Sequence, residues 1–211
     1  SRPNSVTIGN FDGCHRAHQL LLETARTLAL LTGSIPAVLT FDPHPREYFQ
    51  PGTRIGKLFQ PAQKLRALEE LGIQQVFVQA FDCEFSQQSP TDFCEKLLSK
   101  CLDARAVIIG EDFRFGVKRQ GSIEDLKRLL PACTIKIIPK LLTSDGSPVS
   151  SSEVRRLLQS QAIVEANELL GRPYLIEGKI KKGHQLGRKF GFPTANLELG
   201  PQLMPGHGVY A

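Results

Sequence analysis

The stretch Val6-Thr7-Ile8-Gly9-Asn10-Phe11-Asp12-Gly13-Cys14-His15-Arg16-Ala17-His18 passes from a short apolar strand through a glycine-containing turn into a helix. Leu21, Leu22, Ala25, Leu28 and Ala29 recur at helical spacing, so the helix runs from His18 to about Leu31, and Gly33 supplies the stop. Ala37-Val38-Leu39-Thr40-Phe41 reads as the next strand and ends at Asp42-Pro43-His44-Pro45. The alternation continues with a helix over Pro61 to Leu71, a strand over Gln75 to Phe81 and a helix start at Ser89-Pro90-Thr91-Asp92. A strand over Ala106 to Ile109, a helix opening at Ser122 and a strand over Thr134 to Ile138 follow. Strands of continuous apolar residues separated by helices predict an α/β fold with a parallel sheet covered on both faces. Ligands of such sheets sit beyond the carboxyl ends of the strands, so those turns are where chemistry is expected.

Two shorter helices are expected over Glu153 to Leu158 and Ile163 to Leu170, closed by Gly171. Beyond it the pattern changes. Tyr174 to Ile180 and Gly208 to Ala211 read as strand, and glycine becomes frequent. These features divide the chain into 1–170 and 171–211, and the second piece is expected to be the opening of a domain left incomplete at Ala211.

The composition, 41% hydrophobic and 22% charged over 211 residues, is that of a globular chain, and it excludes disordered, collagenous and disulfide-scaffold classes. No apolar run approaches the roughly 20 residues that span a bilayer, and Ser1 to Ser5 hold no apolar signal segment, so a cytoplasmic location is expected. The five cysteines form no C-x-x-C pair and are expected to be reduced and mostly buried. The net charge of +5 is local: residues 172–191 carry Arg172, Lys179, Lys181, Lys182, Arg188 and Lys189 against Glu177 alone. With no basic stripe interleaved with aromatics, nucleic acid and membranes are not expected partners. Nothing in the sequence bears on oligomeric state.

His15 and His18, three apart where a strand turns into a helix, suit the stabilisation of charge on a phosphate, with Gly9, Asn10, Phe11, Asp12 and Gly13 around them. A zinc site is disfavoured, since no neighbouring Cys or third His completes it. Asp42 and His44 follow the second strand, and Gly110-Glu111-Asp112-Phe113-Arg114-Phe115-Gly116 follows a later one. Ser151, Ser152 and Arg155 lie in the first turns of a helix, where hydroxyls and a guanidinium suit phosphate. The basic loop with Gly187, Lys189 and Gly191 lets backbone amides approach phosphates, and Thr194 and Asn196 offer oxygen ligands to Mg2+. No G-x-G-x-x-G and no Walker loop occurs.

Gly9 to His18, Thr40 to Pro45, Gly110 to Gly116, Ser150 to Arg155, Gly171 to Tyr174 and Gly187 to Asn196, in this order, resemble the prokaryotic bifunctional riboflavin kinase/FAD synthetase family over nearly the whole chain. The resemblance implies a Rossmann-like nucleotidylyltransferase domain that joins FMN to ATP, followed by a small β-barrel that phosphorylates riboflavin. It implies that His15, His18 and Arg155 act on the ATP phosphates with Ser151 and Ser152. Asn10 and Asp12 would line the same turn, and Asp112 would border the nucleotide and flavin pocket. Thr194 and Asn196 would hold Mg2+ and nucleotide phosphates in the kinase part. Ala17 stands where the family motif has Gly, and Ser152 replaces its Thr. The kinase carboxylate of the family lies downstream of Gly-Val-Tyr-Ala, so the 211 residues alone are expected to make no FMN from riboflavin and ATP. Two further readings compete: a nucleotidylyltransferase for another phosphorylated acceptor, and a non-catalytic basic nucleotide- or nucleic-acid-binding module.

Overall fold

In the computed structural model, which describes residues 2–52, 55–181 and 195–210, the strand opening the decisive stretch is the middle of a sheet. Strand β1 (Asn4–Ile8) is buried over its whole length. It pairs in parallel with β2 (Ile35–Asp42) on one side and β4 (Ala104–Gly110) on the other. β3 (Gln75–Ala80) and β5 (Thr134–Ile138) complete the order β3-β2-β1-β4-β5. The chain therefore builds outward from β1 to one edge and then returns to build the other half. The reversal puts a crevice beyond the carboxyl ends of β1 and β4, where open α/β sheets bind ligands.

Alternate residues of the strands face opposite layers. Val6, Ile8, Ala37, Leu39, Val107 and Ile109 pack on one face against Phe93, Cys94, Leu98 and Leu126. On the other face, Val38, Ala106 and Ile108 meet Leu22 and Ala25 of α1 (Arg16–Thr32) and Leu68 of α3 (Pro61–Glu70). Gly33 ends α1 at φ 65, donating its N–H to Ala29 as a left-handed cap should. The short α2 (Pro45–Phe49), absent from the sequence reading, follows a cis Asp42–Pro43 bond and is capped by His44. After the one-turn α4 (Cys83–Ser86), Ser89 caps α5 (Pro90–Asp92). The chain then widens to π-helix over Phe93–Cys101, with Phe93 and Leu98 both buried one π turn apart. A capping box of Ser122 and Asp125 opens α6 (Ile123–Leu129). A third apolar cluster joins α7 (Ser151–Gln159) and α8 (Ile163–Leu170) through Val154, Leu158, Ala166 and Leu170.

Three expectations need correction. Tyr174 to Glu177 are not strand. Their carbonyls are taken by side chains, Leu175 by Gln63 and Gln202 and Glu177 by Gln60, so they lie against α3 with no ladder; only β6 (Gly178–Lys181) pairs, antiparallel, with β7 (Asn196–Leu199). Val209 and Tyr210 are not strand either, because the Tyr210 hydroxyl turns back to the Gly206 carbonyl and Val209 is fully exposed. Cys14 and Cys94 are buried and Cys133 is partly so, but Cys83, at the start of α4, and Cys101, at the end of the π-helix, are exposed, so the free thiols are not mostly buried.

Candidate active site

The turn after β1 places its residues on two sides. Phe11, at φ 50, drives its ring into the core, and Gly13, at φ 80, has no room for a side chain because a Cβ would stand 2.7 Å from Leu58 Cδ1. Both were expected among ligand-binding residues, yet neither lines the cavity; they set the shape of the turn. Gly9, Asn10, Asp12 and His18 do line it, together with His44, Asp112, Ser151, Ser152 and Arg155, around a volume of about 680 Å3.

The two histidines have different duties. His15 is the N-cap of α1: its Nδ1 accepts from the His18 N–H at 3.3 Å, and its ring is buried behind the cavity wall. Its ring stacks on that of His18 at 3.6 Å between centroids and 17° between planes, with Phe11 tilted against the other ring at 5.0 Å. His15, expected to meet phosphate, thus braces His18, which faces the cavity and whose Nδ1 is buried with no protein partner. Burial lowers the pKa of His15 from 6.5 to about 4, helped by Arg155, and holds that of His18 well below its usual value, helped by His15, Lys64 and Arg155. Both rings are neutral at pH 7.

A folding consequence follows from His15. Above pH 6.5 neither the folded nor the unfolded chain protonates it; between 6.5 and about 4 the unfolded chain takes up a proton that the folded chain refuses. Stability is therefore expected to fall through that window, by up to about 3 kcal/mol from this group. His15→Asn keeps a capping acceptor without the titration. Urea unfolding from pH 7 to 4 should show a shallower decline in this variant, and identical slopes would refute the assignment.

Asp12 is a hub. Its carboxylate accepts the N–H groups of Leu58 and Phe59 at 3.0 Å and pairs with Arg155 Nη2 at 2.5 Å, while its main-chain carbonyl accepts from Ser151 Oγ at 2.8 Å. Arg155 Nε donates to Gly56 at 2.7 Å. Ser150 caps α7, accepting from Glu153. Arg155, expected to meet phosphate, is the mostly buried partner of Asp12 in the cavity wall.

Phe41, Phe49, Phe81, Phe85, Phe93, Phe113 and Phe115 also line the cavity, an aromatic wall that the sequence reading missed. The signal was present in position: Phe41 is the penultimate residue of β2, Phe81 directly follows β3, and Phe113 and Phe115 follow β4. Phe113 and Phe115 stack at 5.7 Å. Arg46, Arg114, Lys118 and Arg119 add positive charge, and Asp112 is exposed 3.6 Å from Lys140. Gly116, at φ 71, lets this loop lie on Pro90, since a Cβ there would stand 2.9 Å from its nitrogen. Gly116→Ala is expected to cost about 2 kcal/mol from the positive φ and the contact. Chemical denaturation measures it, and a loss below about 0.5 kcal/mol would contradict it.

Asp42 departs from the expected set. It lines a second cavity of about 140 Å3, 4.0 Å from Lys57, while His44 lines both and caps α2 by accepting from Arg46 at 3.1 Å. Of the kinase-loop residues, Gly187, Lys189, Gly191 and Thr194 lie outside the described residues; Asn196 opens β7 opposite Lys181, exposed. Its amide oxygen is a hard donor of the kind Mg2+ takes.

Residues 1–153 match the FAD synthetase family model and residues 170–211 the riboflavin kinase model. The bifunctional riboflavin kinase/FMN adenylyltransferase of Haemophilus influenzae is 37% identical over 98% of this chain and 68% of its own length. That of Escherichia coli K12 is 36% identical over 98% of this chain and 66% of its own, so the chain spans about two thirds of these relatives. A crystal structure described as a macrolide-efflux protein from Streptococcus pneumoniae superposes with a TM-score of 0.90 at 29% identity, covering all of this chain and 69% of that one. Among the described residues, no helix is long and apolar enough to cross a membrane. A parallel sheet with its crevice at the reversal of strand order, two successive family models over 1–153 and 170–211, and relatives of 36–37% identity place the chain in the bifunctional riboflavin kinase/FMN adenylyltransferase family, with the FAD synthetase domain followed by part of the riboflavin kinase domain.

Proposed function

We propose that the cavity joins FMN to the adenylyl group of Mg·ATP, releasing pyrophosphate. A phosphate oxygen of FMN bonds to the α-phosphorus of ATP as the bond from that phosphorus to the β-phosphate bridging oxygen breaks. The FMN phosphate is anionic near pH 7 and needs no general base, so catalysis consists of positioning and charge stabilisation. One observation carries the reading: His18, whose side chain has no hydrogen-bond partner among the described residues, and a wall of seven phenylalanines line the same cavity. The imidazole suits phosphate, and the aromatic wall suits a flat apolar ring system such as a flavin. His18, neutral, donates to a phosphate oxygen; Ser152 and Arg155 flank it, and Asp12 holds Arg155.

The aromatic wall favours a flavin over other phosphorylated acceptors. Incubation with FMN and Mg·ATP is expected to yield FAD and pyrophosphate in equal amounts. In thermal shift, FMN is expected to stabilise the chain more than nicotinamide mononucleotide or phosphopantetheine. No FAD, together with stabilisation by another acceptor, would overturn the reading. For the whole protein we propose riboflavin phosphorylation in the second domain, from about residue 171, with Thr194 and Asn196 as Mg2+ and phosphate ligands and Gly187, Lys189 and Gly191 in the nucleotide loop. We also propose a cytoplasmic location.

A further inference from the structure

Lys64 reaches from α3 to the back of the β1–α1 turn, where it lines the smaller cavity and not the larger one. Its Nζ donates to the Asn10 carbonyl at 2.9 Å and to Thr40 Oγ1 at 3.2 Å, and Thr40 Oγ1 donates to the same carbonyl at 3.3 Å. Gly9 makes a sheet-type bond to Leu39, and Asn10 is where the chain leaves the sheet, so its carbonyl depends on partners from outside. The next residue, Phe11, has positive φ and packs on the His18 ring. Burial lowers the Lys64 pKa, while Asp12, Cys14 and Asp42 oppose the shift and Lys57 adds to it. A half-buried ammonium costs solvation that an apolar side chain of the same size would not, so its hydrogen bonds are the feature to explain.

We propose that Lys64 is a positioning residue for adenylyl transfer, anchoring the Asn10 carbonyl to Thr40 and so holding the turn that sets Phe11 against His18. The proposal rests on the adenylyl-transfer reading above. It assigns Lys64 no contact with substrate.

The test compares wild type with Lys64→Met, which keeps the length of the side chain without the ammonium, and with Lys64→Cys alkylated to the thioether analogue of lysine. Alkylated wild type is the control, because Cys83 and Cys101 are exposed. Lys64→Met is expected to lower kcat for FAD formation about 10- to 100-fold, the scale of a misplacement near 1 Å, with the KM for FMN within about threefold. The alkylated variant should recover most of the loss. A kcat within about twofold of wild type in Lys64→Met, or a loss the restored ammonium does not reverse, overturns the proposal. Amide hydrogen exchange over residues 9–13, read without substrate, is expected to quicken about tenfold or more in Lys64→Met while β4 keeps its protection. Unchanged exchange overturns the anchor even where kcat falls. If wild type makes no FAD, the functional reading fails by itself, and the exchange experiment still decides the anchor. Should Lys64→Met not fold, Thr40→Val removes the other half of the clamp, and a smaller loss of the same kind is expected; no loss and no change in exchange would refute the proposal.

Discussion

His18→Ala is expected to lower kcat for FAD formation by about 10²-fold or more, the cost of removing one preorganised donor from a phosphoryl transition state. The expectation rests on how the ring is held. It lies stacked on His15 and tilted against Phe11, so its orientation is set before substrate arrives. Burial keeps it neutral, and a neutral imidazole offers one N–H and one acceptor nitrogen. Nδ1 is buried without a protein partner, so a ligand is met by the part of the ring that lines the cavity. His15 is buried and spends its Nδ1 on the α1 N-terminus, so it is no substitute. Steady-state kinetics with FMN and Mg·ATP, with FAD quantified chromatographically, tests the point. A rate within twofold of wild type would remove His18 from the reaction. A loss confined to KM would mean that it binds ground state and transition state alike.

Asp12→Ala is expected to destabilise the fold by about 4 kcal/mol, within the range for stripping one partner from a buried ion pair. The carboxylate is the common acceptor for Leu58 N–H, Phe59 N–H and Arg155, all at 2.5–3.0 Å. Its removal leaves the two amides without an acceptor and the guanidinium with only the Gly56 carbonyl. Because residues 56–59 also receive Gln202 and Leu203 from the C-terminal segment, the loosened strap lies at the join between turn, α7 and that segment. Asp12→Asn keeps an amide oxygen for the two N–H groups and loses only the charge, so it should cost less. Urea titration followed by circular dichroism gives both values; a loss below about 1 kcal/mol in Asp12→Ala would show that Arg155 and the amides find other partners.

Much of the architecture could be read from residue order. The continuous apolar runs of β2 and β4, the periodic Leu22–Ala25–Ala29 face of α1, and the caps Gly33, Ser89, Ser122 and Gly171 are local signals, and each marks an element of the structure. Tyr174 to Glu177 show where local reading fails. Their β-branched and aromatic residues look like strand, but Gln60, Gln63 and Gln202 claim the carbonyls from afar.

By itself the sequence determined the α/β order and the strand-end turns beside which the cavity lies, with some of the residues that line it, because caps, periodicity and strand-end turns are written within a few consecutive positions. It also carried the family motifs. Tertiary structure decided the division of labour within those motifs. His15 and His18 are equivalent on paper, yet packing buries one as a brace and turns the other to the cavity. Asp12 and Arg155 lie far apart in the chain, and only folding makes them partners. Seven phenylalanines from different segments become one wall for the same reason. A residue's chemical type is local, but its burial, partners and charge state depend on side chains that only the fold brings near.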